Sequence, residues 1–429
     1  MRKSKANIEP IINWLKERQN SIFFKVKEIP LSKLDEWHYD YEQGSLVHNS
    51  GKFFSIKGIE INTNFGYVNR WMQPIINQPE IGILGIISKR IDGKRKYLMQ
   101  AKMEPGNINI LQLSPTVQAT RSNYTQVHKG KKTNYLEYFT NPTNSKLLID
   151  RLQYEQGGRF YRKLNRNVLI DIEDNIPVLE DYYWMTSEEI GLLLNIKNIV
   201  NMDSRSVLSC ILKKDEYDNP INTENDILNW LSKIGAHYSI ETKWIALDKL
   251  EDWRFGSDCI EHKDKKYFSV IGIETTAGNR EVKSWKQPIL KETNIGLVGF
   301  IIKEINKTIH YLAQAIVEAG KTSLKFAPTV QCSDYKNRCD SVKYFSHLLN
   351  GGKILYDKIQ SEEGGRFYNF QNRNMIVQIE DDIEVGDNFI WLTYNQIVDL
   401  IGHGYFNIEV RTLMVCWNSF KNNGRYKYD

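Results

Sequence analysis

Nowhere in the 429 residues is there an apolar run of the roughly 18 residues that a membrane-crossing helix needs. The opening Met1-Arg-Lys-Ser-Lys5 carries positive charge, but no apolar stretch follows it. No secretory leader is therefore predicted, and the expected location is cytoplasmic. Cysteine is scarce. Cys210, Cys259, Cys332, Cys339 and Cys416 are too scattered for a disulfide framework, and none belongs to a paired C-x-x-C set, so structural thiols are expected. Charge of one sign is lacking too: 57 Lys and Arg mix with 52 Asp and Glu, leaving a net charge of +5. A dedicated duplex-DNA binder would concentrate its basic residues on one face. Also missing are G-x-x-x-x-G-K-[ST], G-x-G-x-x-G between strand and helix, H-E-x-x-H and G-x-S-x-G. Redox and phosphoryl-transfer machinery has no support, and neither cofactor nor metal is expected.

What is present is a duplication. Ile11-Ile-Asn-Trp-Leu15 returns as Ile227-Leu-Asn-Trp-Leu231, and Leu31-Ser-Lys-Leu-Asp-Glu-Trp37 as Leu247-Asp-Lys-Leu-Glu-Asp-Trp253. In the same order, Trp71-Met-Gln-Pro-Ile75 is answered by Trp285-Lys-Gln-Pro-Ile289, and Pro115-Thr-Val-Gln118 by Pro328-Thr-Val-Gln331. Glu155-Gln-Gly-Gly-Arg-Phe-Tyr161 is answered by Glu362-Glu-Gly-Gly-Arg-Phe-Tyr368. The period is far too long for a solenoid repeat, so a whole domain has been copied. The joint falls in the polar stretch Asp215 to Asn225, which contains Pro220, and the expected domains are 1–215 and 216–429.

Each copy reads as one α+β unit. Ile11, Ile12, Trp14 and Leu15 predict an amphipathic helix over about Ile8 to Arg18. Strands are predicted at Phe53 to Asn62, Ile81 to Arg90, Lys96 to Met103 and Asn167 to Glu173, with Asp92-Gly93 joining the middle pair as a hairpin. A helix is expected over Ser145 to Tyr154, ending at Gly157-Gly158. Thr186-Ser-Glu-Glu189 and Thr393-Tyr-Asn-Gln396 are capping boxes that open helices. Trp14, Trp37, Trp184, Trp230, Trp253 and Trp391 read as core.

Function points to Gln100-Ala-Lys-Met-Glu-Pro-Gly-Asn107 and the polar run through Tyr124, which follows a buried-looking strand. Such a segment is a poor core and a plausible ligand wall, although many loops of this composition are only turns. Lys102, Glu104, Tyr124 and His128 are the candidates for acid-base and electrostatic work; a single histidine on a polar segment is also an ordinary surface residue. Arg159, Arg162 and Arg166 lie among aromatic residues. Phosphate binding beside a stacked base and plain surface ion pairing are equally compatible with that pattern. The copies have diverged unequally: Ile316 stands where the first copy has Lys102, and no histidine answers His128. The first copy is therefore the expected catalytic one.

The run Gln100 to Tyr124 with Val127-His128, then Tyr135-Leu-Glu-Tyr-Phe139, Phe160-Tyr-Arg-Lys163, Asn165-Arg-Asn167 and Ser361-Glu-Glu-Gly-Gly-Arg-Phe-Tyr368 resembles the NDP-hexose 2,3-dehydratases of deoxysugar biosynthesis. The resemblance covers nearly the whole chain. It implies a tandem pair of Nudix-like mixed-sheet domains with flanking helices and a homodimer. It also implies dehydration of dTDP-4-keto-6-deoxy-D-glucose without a redox cofactor, and a product passed to a 3-ketoreductase. No nucleic acid or membrane partner is implied. The substrate-binding set expected on this basis is Trp71, Gln73, Gln100, Asn107, Gln112, Gln118, Thr120, Arg121, Asn123, Arg159, Tyr161, Arg162, Arg166 and Asn167, with Gln331, Arg366, Tyr368 and Arg373 from the second copy. The hydrolase signature of true Nudix enzymes is absent from both copies, consistent with a fold reused for another reaction. A non-catalytic nucleotide-sugar sensor and a single-stranded nucleic-acid binder are the competing readings. Retention of Lys102 and Glu104 favours catalysis over sensing.

Overall fold

The computed structural model describes residues 6–66, 68–120, 132–141, 145–278, 282–292, 294–321, 323–334, 336 and 342–422. Its α+β, duplicated architecture is the one expected. Each copy contributes a seven-stranded mixed sheet. In the first copy, the central strand Gly82–Ile91 pairs antiparallel with Lys94–Met103 and parallel with Leu164–Ile172. In the second, Gly296–Ile305 pairs likewise with Thr308–Ile316 and Gln371–Gln378. The Asp92-Gly93 hairpin forms with positive φ at both residues, 53° and 76°, as a tight primed turn requires.

Both capping boxes are closed. The Glu189 backbone N–H donates to the Thr186 hydroxyl at 3.2 Å, while Thr186 N–H donates back to the Glu189 carboxylate at 2.7 Å. Thr393 and Gln396 repeat the exchange.

Ser145–Tyr154 is a correction: it is a strand, paired antiparallel with Leu164–Ile172 and interrupted by a register shift between Leu147 and Ile149. Its Leu, Ile, Lys and Gln content suits a helix locally, but the neighbouring strand offers a full ladder of hydrogen bonds, and that tertiary pairing wins. Gly157-Gly158 accordingly lies in the turn before the short strand Phe160–Tyr161, with no helix to cap. Cys332 also departs from expectation, being disulfide-bonded, whereas Cys210, Cys259 and Cys416 are free.

The second sheet of each copy is completed by the other copy. Phe24–Ile29, from the first copy, pairs antiparallel with Ser269–Ala277 of the second. Reciprocally, Ile240–Ile245 of the second copy pairs with Ser55–Thr63 of the first. The helices preceding these strands stay at home: Trp14 Nε1 in the first donates to Glu180 O at 3.1 Å, and Trp230 Nε1 in the second to Asp387 O at 3.0 Å. The crossing continues past the strands, where Leu31 N–H donates to Asp258 O at 3.0 Å and Leu247 N–H to Gly44 O at 2.9 Å.

The copies share their interior as well. Helices Met202–Ser209 and Ile408–Lys421 pack on each other inside one core that takes Leu84, Tyr97 and Met103 from the first copy and Phe300, Tyr311 and Phe326 from the second. A smaller core joins Trp37, Phe54 and Phe160 to Trp253, Phe268 and Phe367. Trp37, Trp253 and Trp391 are buried, and Trp14, Trp184 and Trp230 half-buried against these clusters. Among the described residues no helix is long and apolar enough to cross a membrane.

Candidate active site at the seam between the copies

The strand Lys94–Met103 delivers Lys102 and then Glu104 to the point where the chain turns at Pro105-Gly106. That turn meets the Glu362-Glu-Gly-Gly365 turn of the second copy so closely that side chains have no room. A Cβ on Gly106 would stand 1.6 Å from Phe367 O, and one on Gly320, its counterpart, 1.8 Å from Phe160 O. Glycine at both positions is the steric condition for this contact. Backbone bonds fix it: Gly106 N–H donates to Gly364 O at 2.7 Å and Asn369 N–H to Gly106 O at 2.8 Å, with Gly320 and Gly157 bonded the same way across the other half of the seam.

A cavity of about 540 Å³ opens over the first of these contacts. The first copy supplies Lys102, Glu104, Gln118 and Thr120, with Lys163, Asn165, Glu155 and Asp203 deeper in. The second supplies Glu363, Arg366, Trp285 and Gln287. Trp37, His48, Phe53 and Phe54 add an aromatic side. Such a mixture of flat apolar walls and a few convergent polar groups is what a small-molecule site requires.

The polar groups are tightly held. Lys102 Nζ lies 3.4 Å from Glu104 Oε1, both side chains being less than a tenth exposed. Gln118 Nε2 donates to the same oxygen at 2.9 Å and is itself oriented by Ser114 Oγ at 3.0 Å. Glu104 Oε2 is buried with no hydrogen-bond partner among the described residues, as an acceptor awaiting a ligand would be. Across from it, Glu363 accepts the backbone N–H groups of Gly365 at 2.6 Å and Arg366 at 2.8 Å. Trp285 Nε1 donates to Gln287 Oε1 at 3.0 Å, and Gln287 Nε2 to Gly365 O at 2.7 Å, so a tryptophan-glutamine relay steadies the turn that carries Glu363. The Arg366 guanidinium stacks 4.3 Å above the Phe54 ring.

Burial, followed by the charge of the facing Glu104, pushes the Glu363 carboxyl up to about 7, against the pull of Arg366. Burial lowers Lys163 to about 8, opposed by Glu80 and Glu155. Asp203 is raised well above the ordinary carboxylate range by burial, with the charges of Glu155, Glu363 and Glu104 adding to it. A carboxyl and an amine brought toward neutrality inside one cleft, as Glu363 and Lys163 are, are the raw material of proton transfer.

Of the residues singled out in the sequence, Lys102, Glu104, Gln118, Thr120 and Arg366 line this cavity. Gln112 stitches the seam behind it, accepting from Ser361 Oγ at 3.0 Å, while Asn107 Nδ2 donates within its own turn to Ile110 O at 3.1 Å. Trp71 and Gln73 form the other copy's relay, ending on Gly158 O at 2.8 Å, and Arg159 is ion-paired with Glu292. The Tyr161 ring packs on Trp244 at 4.5 Å, with the Arg162 guanidinium 4.9 Å over it. Gln331 accepts from Asn407 Nδ2 at 2.8 Å, and Lys291 lies 5.7 Å from the Tyr368 ring. Gln100 sits mid-sheet opposite Tyr182 and Ser114, and Asn167 is bonded to Asn165 O and Ser206 Oγ. Arg166 forks onto Asp150 at 2.8 and 2.6 Å, and Arg373 onto Asp357 at 2.9 and 2.7 Å, as paired charges on neighbouring strands away from the cavity. Arg121, Asn123, Tyr124 and His128 lie outside the described residues.

Glu363, Lys163, Asp203, Glu155, Trp285 and Gln287 are additions to the sequence-derived set. One signal pointed to the first of them: the second copy has Glu362-Glu363 where the first has Glu155-Gln156.

A family model described as NDP-hexose 2,3-dehydratase matches residues 8–211 and again 224–417. The chain is 39% identical over 444 residues to a dTDP-4-dehydro-6-deoxy-alpha-D-glucopyranose 2,3-dehydratase of Saccharopolyspora spinosa, covering 96% of this chain and 91% of that one. A protein of the same description from Amycolatopsis orientalis is 38% identical over 424 residues, covering 96% and 90%. Among solved structures, an ADP compounds hydrolase is 16% identical and covers 37% of this chain and 90% of its own at a TM-score of 0.27, a likeness on which no conclusion rests.

Proposed function

The chain belongs to the NDP-hexose 2,3-dehydratase family, and from that premise we propose that it is a lyase acting on dTDP-4-keto-6-deoxy-D-glucose. The reaction removes the C3 proton and the C2 hydroxyl, giving an enol that tautomerises to the 3,4-diketo-2,6-dideoxyhexose. The observation that carries this reading is the seam cavity itself, where the Lys102 ammonium and the half-satisfied Glu104 carboxylate face a group titrating near neutrality.

A C4 ketone acidifies C3–H only if the enolate oxygen is stabilised as charge develops on it. Lys102 supplies a buried positive charge for that oxygen. Gln118 holds Glu104 in register, and Glu104 Oε2 is left to accept a sugar hydroxyl or move its proton. Arg366 faces the diphosphate, and Trp37, Phe53 and Trp285 offer flat surfaces to the base. Tyr124 and His128 remain candidates for proton transfer on the sequence argument alone.

In the same reading each half is a Nudix-like domain, divided at 215/216. The protein works as a cytoplasmic homodimer, and its reactive diketone is consumed by a 3-ketoreductase.

The test is to incubate the purified protein with dTDP-4-keto-6-deoxyglucose in deuterated water with a trapping reductant and follow the product by mass. Loss of one water with deuterium gained at C2 is the expected result. A sugar bound but returned unchanged would replace the lyase with a sensor.

A further inference from the structure

Two buried carboxylates meet at the seam, one from each copy. A Cβ on Gly365 would stand 2.5 Å from Glu363 Oε1 and 3.9 Å from Glu104 Oε1, so both flank one backbone position and open onto the same cavity. Their settings differ. Glu104 is engaged on one oxygen by Lys102 and Gln118. Glu363 is held in place by two backbone N–H groups, but burial, and after it the like charge of Glu104, opposes its ionisation. Two adjacent carboxyls in unlike environments divide acid and base roles between them.

The equivalent place across the seam shows what is particular to this pair. There Glu318 answers Glu104, but Gln156 stands at the position of Glu363 and donates to Glu362 Oε2. An amide cannot take a proton at neutral pH. The chain thus contains its own comparison, in which one seam keeps the carboxylate pair and the other has lost it together with the lysine.

Resting on the dehydratase reading, we propose that Glu363, a residue of the second copy, is the base that removes the C3 proton in a site whose electrostatic groups Lys102 and Glu104 belong to the first. The Glu363 carboxylate takes the proton from C3, and the C3–H electron pair passes into the C3–C4 enolate, placing negative charge on the C4 oxygen beside Lys102. Re-formation of the C4 carbonyl drives C2=C3 formation and expels the C2 oxygen, which leaves as water with the proton now carried by Glu363. The C3 enol then loses its hydroxyl proton while C2 gains one from solvent. No oxidant or reductant enters: C3 is oxidised as C2 is reduced. Glu363 ends in its starting state.

The experiment compares wild type, Glu363→Gln and Glu363→Asp at matched folding, checked by circular dichroism and by dTDP affinity. In Glu363→Gln we expect kcat to fall by about 10²–10⁴, KM and dTDP affinity to stay within a few-fold, and C3–H exchange into deuterated water to disappear. Wild-type kcat/KM should rise with pH through an apparent pKa near 7; that limb should be absent from the residual activity of Glu363→Gln and present in the partly active Glu363→Asp. A folded, dTDP-binding Glu363→Gln whose kcat lies within about ten-fold of wild type, or that keeps the exchange, overturns the assignment. If Glu363→Gln does not fold, an unchanged acid limb in Glu363→Asp combined with full kcat would overturn it equally. Turnover by wild type with an unaffected variant removes only Glu363, whereas a wild type that binds the substrate and never dehydrates it removes the dehydratase reading and this assignment together.

Discussion

The two halves of the seam are built from aligned residues and do different things. At the first, Lys102, Glu104 and Glu363 line open space, with Asn107 packed behind them against Gly364. At the second, the aligned positions are Ile316, Glu318, Lys321 and Gln156. Lys321 reaches inward there, donating to Glu155 O at 2.8 Å and lying 3.8 Å from the Tyr154 ring; Lys325 lies 4.7 Å from the same ring. Glu318 and Glu409 are buried and raised in pKa, chiefly by loss of solvent. Burial lowers Lys321 to about 7. Both halves therefore retain buried charge, and Glu318 Oε2 and Glu409 Oε2 lack a hydrogen-bond partner among the described residues just as Glu104 Oε2 does. What distinguishes the first half is Lys102 and the Glu104–Glu363 carboxylate pair on an open cavity, where the second has Ile316 and Gln156.

The sharpest way to break that comparison is to give the first half the second's residue. Lys102→Ile should lower kcat by about 10²–10³ through loss of a preorganised charge at the developing enolate, with dTDP binding nearly unchanged. Steady-state kinetics beside a dTDP titration will show whether the loss is confined to kcat.

Next in size are the glycines. Gly106→Ala and Gly320→Ala each drive a methyl into a carbonyl oxygen of the facing copy, so each should cost about 1–3 kcal/mol by forcing backbone to shift. Thermal unfolding should drop comparably in both, whereas only Gly106→Ala should also depress turnover; equal kinetic damage from Gly320→Ala would mean that the halves are not independent.

A smaller effect distinguishes the carboxyls by pH. The folded pKa of Glu363 is raised from 4.5 to about 7. The native state therefore holds a proton that the unfolded chain releases. The contribution present below pH 4.5 is lost as pH rises to about 7, each tenfold difference in proton affinity between the two states being worth roughly 1.4 kcal/mol. Glu155, Glu318, Glu362 and Glu409 act in the same direction. Glu363→Gln should flatten the fall in stability across that window by one group's share, measurable as the difference in urea midpoint between pH 5 and pH 7.5. An unchanged slope would show that Glu363 titrates normally.

The smallest expected effect is a null. Gln156→Glu restores the carboxylate pair to the second half, but Ile316 provides no cation and Lys321 still reaches inward. No second dehydrating site should arise, and kcat per chain should stay unchanged; a doubled kcat would defeat the account of why the halves differ.

Much of this was legible in the chain. The duplication, the Asp92-Gly93 hairpin and the two capping boxes are local signals, and local physics decided them. Ser145–Tyr154 failed because its partner, Leu164–Ile172, decides its conformation from a distance. The strand exchange could not be read at all: Phe24–Ile29 alternates in the same way whichever sheet receives it. Lys102, Glu104, Gln118, Thr120 and Arg366 were found by composition and resemblance. Glu363 was missed because acid-base candidates were sought only in the first copy, although the Glu363 and Gln156 difference stood in the aligned turns. The pairing of turns across the seam is what gave that difference a meaning.

The crossing strands also set a timetable for synthesis. Phe24–Ile29 leaves the ribosome early, while its partner Ser269–Ala277 is translated roughly 240 residues later, a wait on the order of 10–50 s at ordinary bacterial or eukaryotic elongation rates. Through that interval the first copy's own sheet has an open place at Ser55–Thr63, waiting for Ile240–Ile245. A nascent first half therefore carries both an unpaired strand and an unfilled edge that could pair with each other wrongly, or with those of a neighbouring nascent chain. Slow stretches of translation ahead of residue 240 should then lower the yield of native protein, and chaperone cover over the first half should raise it.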